Sequence, residues 1–309
     1  MTNHTSTRTS TATIGLAMAF AMTACASSTI SDTSNKRSKA PSINNVSGQF
    51  TGPESAVWDP DAEVWYMASF GQNFDLSGET PDRPGYITRL DASGKILDKR
   101  FIELSGDVLG MAIMDGVLYA SHASDLLAVD LDTRAVKTIA IPGGAGFLND
   151  VAAGNGEVYV SDTGKNAIYR YIPGGEPEVF STDPALAAPN GVYVDDDKVV
   201  VVTLGAFPPN PETPGGVFTL DSDGEATRVG KLAGLFDGIA KAGKRYLVSD
   251  IRGQLHFLSA TSGKSKMIVD ASIAPHGLAS TADFGFDAAT GTLLIPDLLG
   301  NKAYFYRLP

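Results

Sequence analysis

The chain has 309 residues, of which 43% are hydrophobic and 33 are glycine, so it is long enough for one large domain or two ordinary ones and can bury a sizeable core. Its net charge is −11, from 24 Lys and Arg against 35 Asp and Glu, and its pI is near 4.8. A chain with this negative charge has no electrostatic attraction to a phosphate backbone, which argues against nucleic acid as a partner. The same charge favours binding of cations over binding to anionic membrane surfaces.

The N-terminal 24 residues predict a signal peptide. Arg8 precedes an apolar run from Ile14 to Met22, and small residues follow. The run is too short to span a bilayer, which needs about 20 apolar residues. The sole cysteine, Cys25, falls where cleavage would occur, and MTAC, which begins at Met22, resembles a bacterial lipobox. The alternative is an ordinary signal peptide with an incidental cysteine.

A lipidated Cys25 predicts an anchored protein of the bacterial cell envelope. Ala26 after the cysteine favours the periplasmic face of the outer membrane, and an unlipidated chain would be soluble in the periplasm. Membrane contact is expected through the anchor alone. Residues 25–46, rich in Ser, Thr, Asn and Lys, predict the lipidated cysteine and a flexible tether. The folded domain is predicted over residues 47–309.

From residue 47 onward, runs of Val, Ile, Tyr and Phe typical of strands are broken by Gly, Asp, Asn and Pro, without a long helical periodicity. Six similar short segments recur along the chain, and the first residues of consecutive segments are 56, 39, 41, 47 and 46 residues apart. The segments are ESAVWD from Glu54, GMAIMD from Gly110, NDVAAG from Asn149, NGVYVD from Asn190, DGIAKA from Asp237 and DFGFDA from Asp283. Such periods mark propeller blades, so the predicted fold is an all-β, six-bladed β-propeller.

Each segment is followed by a turn signal of its own and a second strand, for example GEVYVSD and RYLVSD. The polar residue that opens five of the six segments is therefore not needed for the hairpin turn. The Ser-Asp pairs that end two of the second strands are predicted to cap and bridge strands within their blades. The opening residues are instead predicted to meet in one ring at the mouth of the central channel: Glu54, Gly110, Asn149, Asn190, Asp237 and Asp283. Three carboxylates and two amides would repel each other there unless a cation lies between them.

Five stretches carry a family resemblance: PESAVWD, LNDV, PNGVYV, FDGI with LVSD following, and IPDLLGNKAYFYRL. Over about residues 52–308 the chain resembles the family of senescence marker protein (regucalcin), gluconolactonase and the luciferin-regenerating enzyme. The resemblance implies a six-bladed propeller with one divalent cation at the channel mouth. By motif, the cation ligands it implies are Glu54, Asn190 and Asp237, with Asn149 close to both metal and substrate.

The chain departs from the family at the substrate side of the site. Sugar-lactone members hold their substrate with an arginine where this chain has Phe147, in GFLND. Asp283 and His276 (in PHGL) also lie outside the family pattern. We predict substrate contacts from Asn149 and Phe147 together with His122, His276 and Asp283, while a structural role remains the alternative for each histidine.

Oxygen ligands select hard cations, so calcium is the expected ion, with magnesium or manganese as alternatives. Two other interpretations stay open: the ring residues cap strands and turns, or the metal only holds the propeller together. The predicted function is metal-dependent hydrolysis of a small lactone or related ester, with Asp237 as the catalytic base. The alternative is a non-enzymatic envelope propeller that binds a ligand or a protein and carries a structural metal; the sequence names no protein partner.

Overall fold

The computed structural model describes residues 43–46, 48, 50–71, 84–122, 124–272 and 277–308. These residues form 24 β-strands joined by turns and bends, and they contain no helix. The strands are arranged as six four-stranded antiparallel sheets. The predicted all-β class and six-bladed β-propeller are therefore confirmed.

The chain enters the domain as β1 (Ile43–Asn45) and then builds five blades in order. Blade 1 contains β2 (Pro53–Asp59), β3 (Val64–Ser69), β4 (Tyr86–Asp91) and β5 (Ile96–Glu103). Blade 2 contains β6 (Val108–Met114), β7 (Val117–His122), β8 (Asp125–Asp130) and β9 (Val136–Ala140). Blade 3 contains β10 (Leu148–Gly154), β11 (Glu157–Asp162), β12 (Ala167–Tyr171) and β13 (Glu178–Ser181).

Blade 4 contains β14 (Pro189–Asp195), β15 (Lys198–Thr203), β16 (Val217–Leu220) and β17 (Ala226–Arg228). Blade 5 contains β18 (Phe236–Ala242), β19 (Arg245–Asp250), β20 (Gln254–Ser259) and β21 (Ser265–Asp270). Blade 6 contains β22 (Gly285–Asp287), β23 (Thr292–Asp297) and β24 (Lys302–Arg307), with β1 as its fourth strand.

The pairing of β1 with β24 closes the ring of blades. Ile43 lies opposite Tyr306, and the Val46 N–H donates to the Ala303 carbonyl at 2.8 Å. A strand from the start of the domain thus completes the last blade, which ties the two ends of the domain together. This closing strand begins at Ile43, four residues before the predicted domain start at residue 47. The three-residue outer strand INN is too short and too polar to be recognised by its pattern.

The predictions for the N-terminus fall on the part of the chain that is not described. The signal peptide (residues 1–24), the lipidated Cys25 and the tether up to residue 42 lie outside the described residues. No helix in the described ranges is long and apolar enough to cross a bilayer.

The apolar core lies between neighbouring blades. Tyr66 and Ile87 of blade 1 pack with Leu118 of blade 2, and Val200 of blade 4 packs with Phe236 of blade 5. β-Branched and aromatic side chains suit these faces because a strand alternates its side chains between the two sides of its sheet. The first strands of successive blades contact one another along the axis, so they line the central channel.

The aspartates at the ends of second strands fix the turns that enter the first strands. Asp162 accepts from the Phe147 N–H at 2.9 Å, Asp250 from the Leu235 N–H at 3.1 Å and Asp297 from the Ser280 N–H at 2.9 Å. These contacts bear out the bridging role predicted for the Ser-Asp pairs. They also hold rigid the residues that immediately precede the channel ring.

Candidate metal site in the central channel

A β-bulge opens the first strand of each blade from 1 to 5. In blade 3, Leu148 lies opposite Asp162 and Val151 opposite Val160, so Asn149 and Asp150 together face the single residue between them on β11. The same irregularity interrupts the register after Val108, Pro189 and Phe236. In blade 1, Glu54 is a single extra residue between the pairs Pro53–Ser69 and Ser55–Ala68. A bulge redirects the side chains of its residues. Here it places the predicted ring residues at the start of the channel-lining strands.

The bulges divide the predicted ring into two levels, which corrects the single ring expected from the sequence. The outer level contains Asn149, Asn190 and Asp237, the first residues of their bulges. The second level contains the residue that follows in each blade: Glu54, Gly110, Asp150, Gly191, Gly238 and, by extension of the β22–β23 register, Asp283. The prediction aligned the blades on the first polar residue of each segment. Because of the bulges, that residue occupies the outer level in some blades and the second level in others.

The glycines of the second level are required by close approach between blades. A Cβ atom on Gly191 would lie 2.0 Å from the Asp237 carbonyl oxygen, and one on Gly238 would lie 2.5 Å from Asp283 Oδ1. A Cβ atom on Gly110 would lie 2.4 Å from Asp150 Oδ1. None of the three has a positive φ, so turn conformation does not explain them. Gly191 thus leaves space for Asp237 of the next blade, and Gly238 leaves space for Asp283.

Gly191→Ala is expected to destabilise the protein by about 1–3 kcal/mol, because the added methyl group must displace the blade that carries Asp237. Gly175→Ala is the matched control, since its Cβ would have the Ile172 carbonyl oxygen as nearest neighbour at 3.3 Å. Its effect is expected to stay within about 1 kcal/mol. Urea unfolding of the two variants measures both values, and equal losses would contradict the close-approach explanation.

Four carboxylates occupy the channel: Glu54, Asp150, Asp237 and Asp283, each between 4% and 7% exposed. Asp150 was not among the predicted site residues, although it follows Asn149 directly. Its signal was present in the sequence, because Gly110, Asp150 and Gly238 each stand eleven residues before a strand-ending serine. Alignment of the blades on those serines places Asp150 in the ring.

Burial raises the pKa of all four carboxyl groups, and repulsion from neighbouring carboxylates adds to the rise for Glu54, Asp237 and Asp283. Burial, followed by the nearby charges of Asp237 and Asp150, raises the pKa of Glu54 well above its usual range. Burial raises the pKa of Asp150 to about 7, and burial together with Asp150 raises the pKa of Asp237 to about 8. Burial and three neighbouring carboxylates raise the pKa of Asp283. Without a counter-ion, the channel therefore disfavours full ionisation.

These pKa shifts predict how the stability of the metal-free protein depends on pH. The carboxyl groups have a higher pKa in the folded than in the unfolded state, so the folded protein holds more protons between about pH 4 and pH 8. This contribution is fully present below about pH 4 and is lost as the pH rises through about 7 to 8. Thermal unfolding in chelator at pH 5 and pH 8 measures it. The melting temperature is expected to be lower at pH 8, and the same difference in an Asp237→Asn, Asp283→Asn double variant would contradict it.

Two oxygen atoms of the ring have no hydrogen-bond partner although they are buried, Glu54 Oε2 and Asn190 Oδ1. The Asn190 side chain also hydrogen-bonds to Asp237, which opposes the rise in the Asp237 pKa. Asn149 Nδ2 donates to Thr163 Oγ1 at 3.1 Å, and Thr163 Oγ1 donates to the Pro189 carbonyl at 2.6 Å. The amide nitrogen of Asn149 is thus held in the wall, which leaves its oxygen as the atom available to a ligand.

The donor set fits a hard divalent cation. Buried oxygen atoms without a partner cost free energy, and a cation would satisfy both Glu54 Oε2 and Asn190 Oδ1. Within the described ranges, none of the four channel carboxylates forms an ion pair with Lys or Arg. Those ranges also contain no group of three or more His, Cys, Asp or Glu side chains arranged to hold a metal. A cation here would therefore need the amide oxygens of Asn149 and Asn190 beside Glu54 and Asp237, as in the predicted set.

The remaining predicted site residues lie in different places. Asp283 belongs to the channel cluster, and Phe147 lies half-buried two residues before Asn149. His122 ends β7 of blade 2, opposite Val108 and beside Asp125, where burial lowers its pKa. Its Nε2 atom is buried without a partner. His276 lies outside the described residues. Substrate contact by any of these residues stays a prediction.

Comparison with known proteins supports the architecture. No protein-family model matches the chain, and no curated protein matches it. A gluconolactonase from Xanthomonas campestris matches with a TM-score of 0.65 at 15% identity, over 87% of this chain and 90% of that one. An inactive variant of virginiamycin B lyase from Staphylococcus aureus, solved with quinupristin, matches with a TM-score of 0.60 at 14% identity, over 87% and 99% of the two chains.

A third solved structure, a nidogen–laminin complex, matches with a TM-score of 0.55 at 18% identity, over 74% of this chain and 92% of that one. At these identities the likeness shows the fold and leaves the activity open. The neighbours include a hydrolase, a lyase and a protein–protein complex, so the propeller alone does not select among these functions.

Proposed function

We propose that the protein is a metal-dependent hydrolase of lactones or related esters. The observation that carries this proposal is the buried ring of oxygen donors in the channel, in which Glu54 Oε2 and Asn190 Oδ1 have no partner. The gluconolactonase among the structural neighbours is consistent with it at the level of the fold. Glu54, Asn149, Asn190 and Asp237 would hold the cation, for which calcium is the first choice.

A bound divalent cation supplies Lewis acidity, which polarises the carbonyl group of a lactone or ester. Asp237 accepts a proton from the attacking water, whose oxygen adds to the carbonyl carbon. The ring carbon–oxygen bond then breaks, and the proton held by Asp237 passes to the leaving oxygen. The Asn149 side chain, held in place by its hydrogen bond to Thr163 Oγ1, would help to orient the substrate. No covalent intermediate is needed.

A metal that only stabilises the propeller is the second candidate. Each ring side chain is at least nine-tenths buried, and the carboxylates come from blades 1, 3, 5 and 6. A cation between them would link blades across the channel whether or not a substrate binds. In that case the protein is a binding propeller of the cell envelope.

A panel of lactones and aryl esters, assayed near pH 7 with calcium, magnesium or manganese, separates the two candidates. The hydrolase proposal predicts metal-dependent turnover that a chelator abolishes. Protein shown by elemental analysis to carry metal, yet inactive on the whole panel, would support the binding propeller.

The localisation proposal can be tested separately from the activity. Cys25→Ser is expected to release the protein from the membrane fraction into the soluble periplasm, because it removes the site of lipid attachment. Mass spectrometry of the wild-type N-terminus identifies the lipid. A soluble wild-type protein whose N-terminus begins beyond residue 25 would contradict the anchor.

A further inference from the structure

An apolar wall lies at the entrance to the candidate site, on the side of blades 3, 4 and 5. We define it as Phe147, Phe207 and Ile251. The rings of Phe147 and Phe207 are 5.3 Å apart between centroids, at an interplanar angle of 30°. Phe207 and Ile251 pack on a small buried cluster of three residues, Ala188, Leu204 and Leu235. All three wall side chains are partly exposed.

The wall is continuous with the metal-site residues through the register of the blades. Phe147, Ala188 and Leu235 hold the same position in blades 3, 4 and 5, two residues before the outer-level residues of the ring. The Thr163 N–H donates to the Phe147 carbonyl at 2.9 Å, and the Ile251 N–H donates to the Leu235 carbonyl at 2.9 Å. Each of the three lies just before the strand whose bulge carries the predicted ligand, since these strands begin at Leu148, Pro189 and Phe236. The apolar positions therefore come immediately before the predicted ligands at the mouth of the channel.

Phe207 belongs to a loop whose conformational freedom is restricted by prolines and by hydrogen bonds at both ends. The segment from residue 204 to 216 contains four prolines and is anchored at both ends, by Leu204 N–H to Ala188 carbonyl at 2.9 Å and Gly215 N–H to Gly234 carbonyl at 2.8 Å. Within it, the Thr213 N–H donates to the Asn210 carbonyl at 3.0 Å. A rigid loop loses little conformational entropy on binding, so its aromatic side chain is preorganised for a ligand.

We propose that Phe147 and Phe207 bind the non-reacting aromatic or alkyl part of the substrate and that Phe207 is a specificity-determining residue. This inference rests on the proposed function. It narrows the substrate class to lactones or esters that carry one apolar group beside the reacting carbonyl. A pair of phenylalanine rings stacks well on a single flat apolar ring and offers no hydrogen-bond partner to the hydroxyl groups of a sugar. The wall therefore favours an aryl lactone over a polyhydroxylated one.

The test compares wild type, Phe207→Ala and Phe147→Ala with a matched control, Phe180→Ala. Phe180 is another half-buried aromatic residue, paired with Tyr159 at 5.1 Å, and it belongs to the outermost strand of blade 3. The substrates are dihydrocoumarin, an aryl lactone, and γ-butyrolactone, which lacks the ring. We expect Phe207→Ala to raise KM for dihydrocoumarin about tenfold with little change in kcat, and to leave γ-butyrolactone within about twofold. Phe180→Ala is expected to leave both substrates unchanged.

A binding measurement keeps the inference testable if no lactone is hydrolysed. The probe is the lactam analogue of dihydrocoumarin, titrated by calorimetry into metal-free and calcium-loaded protein. Binding that weakens about tenfold in Phe207→Ala and Phe147→Ala, without turnover of any lactone, would support the wall and reject the hydrolase. Equal binding by wild type and both variants, each shown by its melting temperature to be folded, would overturn the wall. A preference for gluconolactam over the aryl lactam would overturn it as well.

Discussion

Calcium is expected to raise the melting temperature of the wild-type protein and to have almost no effect on Asp237→Asn or Glu54→Gln. A ligand that binds the folded state alone stabilises it by about 2.7 kcal/mol at a concentration of 100 Kd. For a domain of this size that corresponds to a rise of roughly 5 °C or more. Each variant removes one charged oxygen donor from the channel and keeps nearly the same side-chain volume.

The same variants are expected to have the opposite effect without metal. Burial, followed by the nearby charge of Asp150, raises the pKa of Asp237 to about 8, so its neutral replacement removes a buried charge and its repulsion from the metal-free channel. Asp237→Asn should therefore be at least as stable as wild type in chelator at pH 8, and less stable than wild type in calcium. A residue that merely caps a strand would lower stability in both conditions.

Asp223→Asn serves as the control for the calcium experiment, because Asp223 is an exposed acidic residue on the outer part of blade 4. Its calcium response should equal that of wild type. A calcium-induced rise of equal size in wild type, Asp237→Asn and Glu54→Gln would rule out this ring as the metal site. Differential scanning fluorimetry over a calcium titration is sufficient to measure every case.

The fold was predictable because each blade repeats sequence patterns that span only a few residues. Apolar alternation and the hairpin turns recur with each blade, and a serine recurs near the end of the second strand in blades 1, 2, 3 and 5. Each of these features is set by residues close in sequence. The closing strand was missed for the opposite reason. Its pairing partner, β24, lies at the other end of the chain, and INN has no pattern that predicts a strand without that partner.

The residue types of the site were predictable from the sequence, but the positions of these residues along the channel were less so. Glu54, Asn149, Asn190 and Asp237 were expected in the channel, and the structure places them there, but the bulges separate them into two levels. Asp150 was missed because the blades were aligned on their first polar residue, Asn149 in blade 3, and the bulge places a second polar residue directly after it. Phe207 was missed because it reaches the entrance on a long loop, and its contact with Phe147 is a tertiary contact between blades.

Asp237→Ala is expected to lower kcat for an aryl lactone by at least about 100-fold, the loss that removal of a general base implies. Because Asp237 is also a predicted ligand, the rate must be compared at equal metal occupancy, measured by elemental analysis of each sample. Occupancy and rate that fall together would assign Asp237 to metal binding. A loss of rate at full occupancy would assign it to proton transfer.

Asp283 provides the internal comparison for that assignment. It lies in the same cluster, and burial together with the charges of Asp150, Glu54 and Asp237 raises its pKa, but the family resemblance gives it no role. If Asp283 only adjusts the charge of the channel, Asp283→Asn should keep the rate within about tenfold of wild type. A loss as large as that of Asp237→Ala, with metal retained, would transfer the base to Asp283. The base would then come from blade 6, while Asp237 of blade 5 would remain a ligand of the cation.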